Sequence, residues 1–288
     1  MTTAQPRKTV YFHVGLPKTG TSTVQAMLRE NAGRLQDAGL HVMFNDQMLR
    51  AVNRQAGRIC KYGASDHAAR LRLALATRRL SAALRAVPEQ RILVSDENLP
   101  GWRIDNLYRL PFDRGPRLVM EALRAAFDDF DIRWIMATRD ATDHMRSAHV
   151  FVTQQKGETA DFDSWSARIG KPEEIDRLIA DTATYWGAAG HVFRMEDEIA
   201  AGRPWGHNIL AHVGVPQAEL AQLIDVKPAN SGVPKNLLPF VRRVNALNLE
   251  DETRKQVVQV LRDLHDNLAA PTEDSKTDRR SASRGKRS

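Results

Sequence analysis

The sequence predicts an α/β fold, a parallel sheet of about five strands flanked by helices on both faces. Short apolar runs, rich in β-branched and aromatic residues, alternate along the chain with longer segments that carry apolar residues at helical spacing. The apolar runs are continuous rather than alternating, as is typical of strands buried on both sides. The chain has 288 residues, enough for a substantial core.

Five apolar runs are predicted as strands, and a sixth is either a weak strand or a loop. The strands are expected at residues 9–14, 40–44, 91–95, 132–138 and 192–195, and the doubtful run lies at 223–226. The second and fifth runs follow a glycine and the third follows Pro88, which are turn signals. Ligands of such sheets bind beyond the carboxyl ends of the strands, so these ends are the places to look for chemistry.

Six segments between the strands are predicted as helical. They cover residues 21–38, 68–86, 118–127, 142–155, 174–188 and 236–268, the last as two helices broken near 248–250. Two regions, 45–61 and 99–115, are predicted as irregular, and the second contains Trp102 and Tyr108. Long irregular loops at the edge of a sheet are candidate lids over a site.

Much of the formal charge of +7 comes from the end of the chain. Residues 275–288 carry a net +5, with serine, lysine and arginine and no apolar periodicity. The prediction is one domain over residues 1–270 and a disordered basic tail over 271–288. Such a tail could touch a polyanion, but a solvated tail is the simpler interpretation, and no specific nucleic acid is expected.

The chain has no apolar run of about 18 residues, so no membrane span is predicted. The first apolar run is about six residues long, too short for the core of a signal peptide, which favours a cytoplasmic protein. The single cysteine, Cys60, excludes an internal disulfide and a cysteine-based zinc site.

The stretch "GLPKTGTST" between the first strand and the first helix has the composition of an anion-binding loop. Backbone amides of a glycine-containing turn and of a helix N-terminus bind anions. Gly15 and Gly20 have the separation found in G-x-x-x-x-G-K-[ST] nucleotide loops, and Ser22 has the hydroxyl place. The lysine place is held by Thr21, and the only nearby lysine is Lys18, within the loop.

The segment P-K-T-G-T-S-T resembles the 5′-phosphosulfate loop of sulfotransferases that use 3′-phosphoadenosine 5′-phosphosulfate (PAPS), which commonly read P-K-[ST]-G-[ST]-[ST]. The resemblance implies a P-loop-type sheet, PAPS as the sulfuryl donor and no metal. It assigns the donor contacts to the whole segment: Pro17, Lys18, Thr19, Gly20, Thr21, Ser22 and Thr23. Many cytosolic members have a tryptophan, which stacks on adenine, where this chain has Thr23.

The same family recognises the 3′-phosphate with an arginine after a later strand and a serine eight residues on. The run "IRWIMAT" is followed by Arg139, and Ser147 lies eight residues beyond it. An arginine guanidinium suits a phosphate dianion, because its planar fork donates two parallel hydrogen bonds. A weaker resemblance to the family is the pair Asn230-Ser231, which either reaches the nucleotide or only caps the following helix.

The resemblance also implies roles in transfer. Lys18 would stabilise the bridging oxygen that leaves, as the family's lysine does. A base is needed near the acceptor, and Glu97, which follows the third strand, is the favoured candidate. Asp96 precedes it, and only one of the two is expected to face the acceptor. The acceptor is expected to be a compound with a hydroxyl or amine, such as a carbohydrate or small metabolite; a histidine such as His149 is the alternative base or pocket residue.

Two other functions stay open. "ILVSDE" also resembles a Walker B strand, which would indicate a magnesium-dependent phosphotransferase; the displaced lysine speaks against it. A non-enzymatic protein that binds a polyanion through its basic tail is the second rival.

Overall fold

The structure is a computed structural model that describes residues 7–63, 65–104, 107–108, 112–226, 233–234 and 236–269. The chain divides into two compact units. The first comprises Met1–Ala148 and Asp163–Asn230, and the second comprises His149–Phe162 and Ser231–Ser288. None of the helices in the described ranges is both long and apolar enough to cross a membrane.

Five strands form one sheet. They are β1 (Thr9–Gly15), β2 (Leu40–Phe44), β3 (Arg91–Ser95), β4 (Asp131–Thr138) and β5 (Gly190–Arg194). The first helices are α1 (Thr21–Glu30), α2 (Ala32–Asp37), α3 (Gln47–Tyr62), α4 (His67–Ala86), α5 (Pro116–Ala126) and α6 (Ala141–Lys156). The remaining helices are α7 (Phe162–Ile169), α8 (Pro172–Trp186), α9 (Met195–Ala200), α10 (His207–His212), α11 (Gln217–Leu220), α12 (Leu238–Asn245) and α13 (Asp251–Ala269).

The sheet has the order β2-β3-β1-β4-β5, and every neighbouring pair is parallel. The prediction of an α/β fold with a parallel sheet of about five strands is therefore confirmed. Parallel neighbouring strands need crossover connections, and the helical segments between the apolar runs form these connections. The fold also resolves the doubtful run at 223–226, which is a loop.

Both faces of the sheet are buried, because successive side chains of each strand point to opposite sides. One face packs Leu93, Ile135 and Ala137 against residues of α1 and α10. On the other face, Phe12 stacks on Trp134, with ring centroids 5.1 Å apart, and Trp134 stacks on Trp186 at the end of α8.

The strand order places a switch point at the carboxyl end of β1. From β1 the chain passes through α1 and α2 to β2, toward one edge of the sheet. From β3 and β4 it passes through helices to β4 and β5, toward the other edge. Such a divergence opens a crevice outside the carboxyl ends of the strands. The segments that follow β1, β3 and β4 therefore meet at one crevice.

The region 45–61, predicted as irregular, is a helix, so that prediction was wrong. Asp46 caps α3, since its carboxylate accepts from the Met48 N–H at 2.6 Å. Buried side chains line one face of the helix: Leu49, Val52, Ala56, Ile59 and Cys60. Five intervening polar residues obscured this period in the sequence. The thiol of Cys60 is packed against Gly101 and Gly115, and burial raises its pKa to about 12.

One predicted helix, 21–38, is two. Asn31 interrupts it, because its side-chain amide donates to Met27 O and to Ile224 O, while its oxygen accepts from Ile224 N–H at 2.8 Å. Asn31 thereby satisfies the backbone of a distant loop. No local pattern could indicate this partner, which lies 193 residues along the chain.

The second unit has its own small core, in which Val233, Val241 and Val258 are buried. The buried Arg254 of α13 donates to Gln154 O and Gln155 O at the end of α6. The break predicted within 236–268 is confirmed: α12 ends at Asn245 and α13 begins at Asp251. The basic tail lies outside the described residues.

Candidate functional site

The loop between β1 and α1 is tightly wound around its own side chains. Thr19 donates its hydroxyl to Leu16 O at 2.7 Å and is fully buried. A Cβ added at Gly15 would lie 2.8 Å from Thr21 Oγ1 and 3.0 Å from Thr19 Oγ1, so the loop closes only over a glycine. Gly20 has φ 83°, the left-handed conformation that glycine adopts without strain.

Lys18 has φ 74°, a left-handed backbone that is uncommon for a residue with a side chain. Such strain costs on the order of 1 kcal/mol and is found at functional sites when the surroundings enforce it. Two residues later, α1 begins after Gly20 without any side-chain cap. The first amides of α1 thus carry the positive end of the helix dipole into the crevice.

His144 of α6 clamps the loop immediately before Lys18. Its Nε2 lies 2.7 Å from Pro17 O, and its Nδ1 lies 3.3 Å from the Tyr108 hydroxyl. A carbonyl only accepts, so Nε2 carries the proton and donates, while Nδ1 accepts from Tyr108. The pKa of His144 is lowered to about 4, chiefly by burial; the hydrogen bond to Pro17 O opposes this, and the charges of Arg139 and Lys18 add to it. The imidazole is therefore neutral at pH 7.

The two acids after β3 have different environments. Asp96 accepts from the Asn53 side chain at 2.7 Å and from Asn98 N–H at 2.9 Å, so both of its oxygens are occupied. Glu97 instead lies beside Lys18 and Thr21, and both lower its pKa. Burial, and then the charge of Asp96, outweigh them and raise the pKa of Glu97 above its ordinary value.

Glu97 and Arg139 each lie close enough to Lys18 for their charges to act on it. Burial lowers the pKa of Lys18, the charge of Glu97 raises it, and the charge of Arg139 lowers it. Both charged groups are therefore neighbours of the partly buried Lys18 ammonium. Residues that follow β1, β3 and β4 therefore share the crevice at the switch point.

Arg139 follows β4 directly, and the loop that holds it is tied to α9. The Asp140 N–H donates to Glu196 Oε1 at 2.8 Å, and the Asp140 carboxylate in turn accepts from Asp143 N–H at 2.9 Å. Ser147 lies one turn beyond His144 on α6 and is half-buried. Residues three apart share a helix face, so Ser147 lies on the face that His144 turns toward the loop.

Two buried donors around the loop have no hydrogen-bond partner within the described residues: Arg139 Nε and Trp205 Nε1. Trp205 packs on Gly20, so that a Cβ there would lie 2.7 Å from the indole Cδ1 and closer still to Nε1. Buried donors are normally paired. A cluster of unused donors beside a helix N-terminus is suited to an anion.

The structure brings together most of the residues that the sequence singled out. Lys18, Glu97 and Arg139 share the crevice with the loop, whereas the hydroxyl of Thr19 is consumed inside the loop. Ser22 is exposed on the first turn of α1, and Thr23 is half-buried. Asn230 and Ser231 lie outside the described residues.

Two predicted features take structural places instead. Trp102 and Tyr108, expected in a lid, are buried at 0% and 5% exposure. His149 lies in the second unit and hydrogen-bonds Ala160 O at 3.0 Å. His13 is fully buried beneath the crevice and pairs with the Ser95 hydroxyl at 2.9 Å.

Two residues that hold the crevice in shape, His144 and Glu196, were not predicted from the sequence. Neither stands in a motif, because each acts on a backbone group of a different segment. The available signal was their position, since both lie within a few residues of the carboxyl end of a strand. No group of three or more His, Cys, Asp or Glu in the described ranges is arranged to hold a metal ion.

The fold and the crevice define an α/β protein with a glycine-containing loop at a switch point of its parallel sheet. Neither protein-family models nor curated proteins match the chain. Among solved structures it is similar to the sulfotransferase from Alicyclobacillus acidocaldarius, at 15% sequence identity and a TM-score of 0.43. That match covers 89% of this chain and 96% of the other.

Proposed function

We propose that the protein is a sulfotransferase that moves a sulfuryl group from PAPS to a hydroxyl or amine of an acceptor. The observation that carries the proposal is the meeting of Lys18, Glu97 and Arg139 at one crevice beside the loop after β1. Two cations and a carboxyl with a raised pKa are the groups that transfer from a doubly phosphorylated donor needs.

The residues fit the donor by their unused hydrogen-bond capacity. The uncapped start of α1, the backbone amides of residues 18–23 and the hydroxyls of Thr21 and Ser22 would bind the 5′-phosphosulfate. Arg139 keeps a buried Nε without a partner and would bind the 3′-phosphate, with Ser147 adding one hydroxyl. The donor itself supplies the sulfuryl group.

The transfer needs little covalent chemistry from the protein. The bond between sulfur and the bridging phosphate oxygen breaks, a bond between sulfur and the acceptor oxygen or nitrogen forms, and the acceptor proton passes to Glu97. Lys18 would stabilise the charge that develops on the leaving oxygen, from an ammonium held close by the left-handed backbone. A raised pKa makes Glu97 a better proton acceptor than an ordinary carboxylate.

His144 is a positioning residue in this scheme. It holds the peptide that joins Pro17 to Lys18, and hence the direction in which the Lys18 side chain leaves the loop. Being neutral, it adds no third positive charge to a site that already contains Lys18 and Arg139.

The rival function, a magnesium-dependent phosphotransferase, would need the acid after β3 to face the metal. Asp96 already accepts two hydrogen bonds, which favours a structural role.

The test compares thermal stabilisation by adenosine 3′,5′-bisphosphate, adenosine 5′-phosphate and magnesium-ATP. The bisphosphate should raise the melting temperature most, because it engages both Arg139 and the loop. Arg139→Gln should remove most of the advantage of the bisphosphate over the 5′-phosphate. Arg146→Gln, an exposed neighbour on α6, is the matched control and should preserve it. Greater stabilisation by magnesium-ATP would overturn the proposal in favour of the phosphotransferase.

A further inference from the structure

The helical hairpin formed by α3 and α4 carries more positive charge than the whole chain. Residues 47–86 contain nine lysines and arginines and one acid, a net +8, while the full chain has +7. The tail adds +5, so the rest of the chain is net negative. A concentration of this kind on one element creates a strong local potential that attracts anions.

Few of these cations are neutralised by the protein. Asp66, the only acid of the hairpin, pairs with Arg58 at 3.0 Å, and Arg85 pairs with Asp129 at 2.6 Å. Arg72 is close enough to lower the pKa of Asp66 but forms no ion pair within 4 Å in the described part of the chain, and neither does Arg79. Both arginines are exposed.

Arg72 and Arg79 line one groove between the two helices, with a volume of about 390 Å³. The α4 side consists of Arg72, Leu75, Ala76 and Arg79, which share a face at i, i+3, i+4 and i+7. The α3 side consists of Gln47, Met48, Ala51 and Gln55. The groove thus has an apolar floor, two amides along one wall and two arginines along the other.

The groove suits a ligand that carries negatively charged groups at regular intervals and hydroxyl groups between them. Seven residues of helix separate Arg72 from Arg79, which places their backbones about 10 Å apart along the axis. The buried Oε1 of Gln55 accepts no hydrogen bond within the described residues, and only a donor such as a hydroxyl would satisfy it. The apolar floor suits the C–H face of a sugar ring.

We propose that the α3–α4 groove binds an anionic polysaccharide. Single-stranded nucleic acid is disfavoured, because no aromatic side chain lines the groove and bases bind by stacking. A membrane surface is disfavoured because Leu71 and Leu75 are the only large apolar side chains exposed on α4, too few for an interfacial helix. This surface does not depend on the proposed function.

The groove also has a defined place in the fold. Gln47 and Met48, at one end, follow β2 by only a few residues and so lie at the carboxyl edge of the sheet. Two strand spacings, about 10 Å, separate β2 from β1, whose loop forms the candidate site. A bound chain that leaves this end of the groove arrives at the edge where the crevice opens.

The test measures binding of heparin oligosaccharides to the full chain at about 0.15 M salt. Arg72→Gln/Arg79→Gln should weaken binding about tenfold or more, because each arginine forms charge-assisted contacts. Arg70→Gln/Arg78→Gln removes the same charge from the same helix outside the groove and should weaken it less than about threefold. The basic tail is unchanged in both variants, so its contribution cancels. Equal losses in the two variants would overturn the groove as the site.

Further probes test the ligand class. Gln55→Leu leaves the charge unchanged and should also weaken heparin binding, and uncharged dextran should not bind. If the Arg72/Arg79 variant weakens binding to single-stranded DNA or to phosphatidylserine vesicles more than binding to heparin, the polysaccharide assignment is wrong. Urea unfolding of each variant confirms that it is folded.

Stabilisation by adenosine 3′,5′-bisphosphate, measured in the same variants, keeps the two proposals separate. It should be unchanged by the groove substitutions. Wild-type protein that binds heparin through the groove but ignores the bisphosphate would refute the proposed function alone. Stabilisation by the bisphosphate without selective loss of heparin binding would refute the groove alone.

Discussion

Replacing His144 with asparagine should change the stability of the protein by an amount that depends on pH. The pKa of His144 is lowered to about 4 in the folded protein from an ordinary value of 6.5. As the pH falls from about 6.5 to about 4, His144 therefore becomes protonated in the unfolded chain but stays neutral in the folded protein. The stability associated with the neutral imidazole is complete above pH 6.5 and is lost through that window.

The size of the effect follows from the two pKa values. Between pH 7.5 and pH 4.5 the histidine should cost the wild type about 2 kcal/mol of unfolding free energy, since each pH unit inside the window is worth about 1.4 kcal/mol. At pH 7.5 the variant should be less stable than wild type by about 1–3 kcal/mol, because Pro17 O and the Tyr108 hydroxyl lose a buried partner. At pH 4.5 that deficit should shrink by about 2 kcal/mol.

Urea unfolding at the two pH values measures the difference directly. Comparing variant with wild type cancels the contributions of other titrating groups, including His13, whose pKa burial also lowers to about 4. A deficit of the same size at both pH values would refute the reasoning, because it would mean that His144 does not titrate differently in the folded and unfolded states.

Three further predictions follow from the crevice. Gly20→Ala should destabilise the protein by about 2–4 kcal/mol in urea unfolding, because alanine would have to adopt a left-handed backbone and would clash with Trp205. Gly33→Ala on α2, where a Cβ meets nothing within 4 Å, should be neutral or slightly stabilising, and equal effects of the two changes would contradict the packing argument. In assays of sulfuryl transfer, the wild-type rate should rise with pH through a pKa above that of an ordinary carboxyl. Glu97→Gln should abolish this pH dependence and Asp96→Asn should keep it; an unchanged pH profile in the Glu97→Gln variant would exclude Glu97 as the base. Lys18→Ala should lower the transfer rate by about a hundredfold or more without lowering the unfolding midpoint, and retained turnover would argue against Lys18 as the group that stabilises the leaving oxygen.

The sequence by itself determined the class of fold and the position of the glycine-containing loop after β1. Continuous apolar runs at β1, β2, β3 and β4 predicted the strands to within about a residue at either end, because a strand buried on both faces is apolar at most positions. The loop after β1 could be located from Gly15, which is closely packed against threonine hydroxyls, and from Gly20, which has a left-handed backbone. These are local requirements, and local sequence reveals them.

The tertiary structure decided which of the polar residues act together. Asp96 and Glu97 are adjacent acids in the sequence, and only the position of Asn53 on α3 separates a structural acid from one that faces Lys18. The helix α3 itself was missed, because its apolar face is recognisable only against the partners that bury it. The clamp of His144 on Pro17 joins residues 127 apart. Contacts of this kind depend on the sheet order, which places the segments after β1, β3 and β4 side by side, and no pattern along the chain encodes that order.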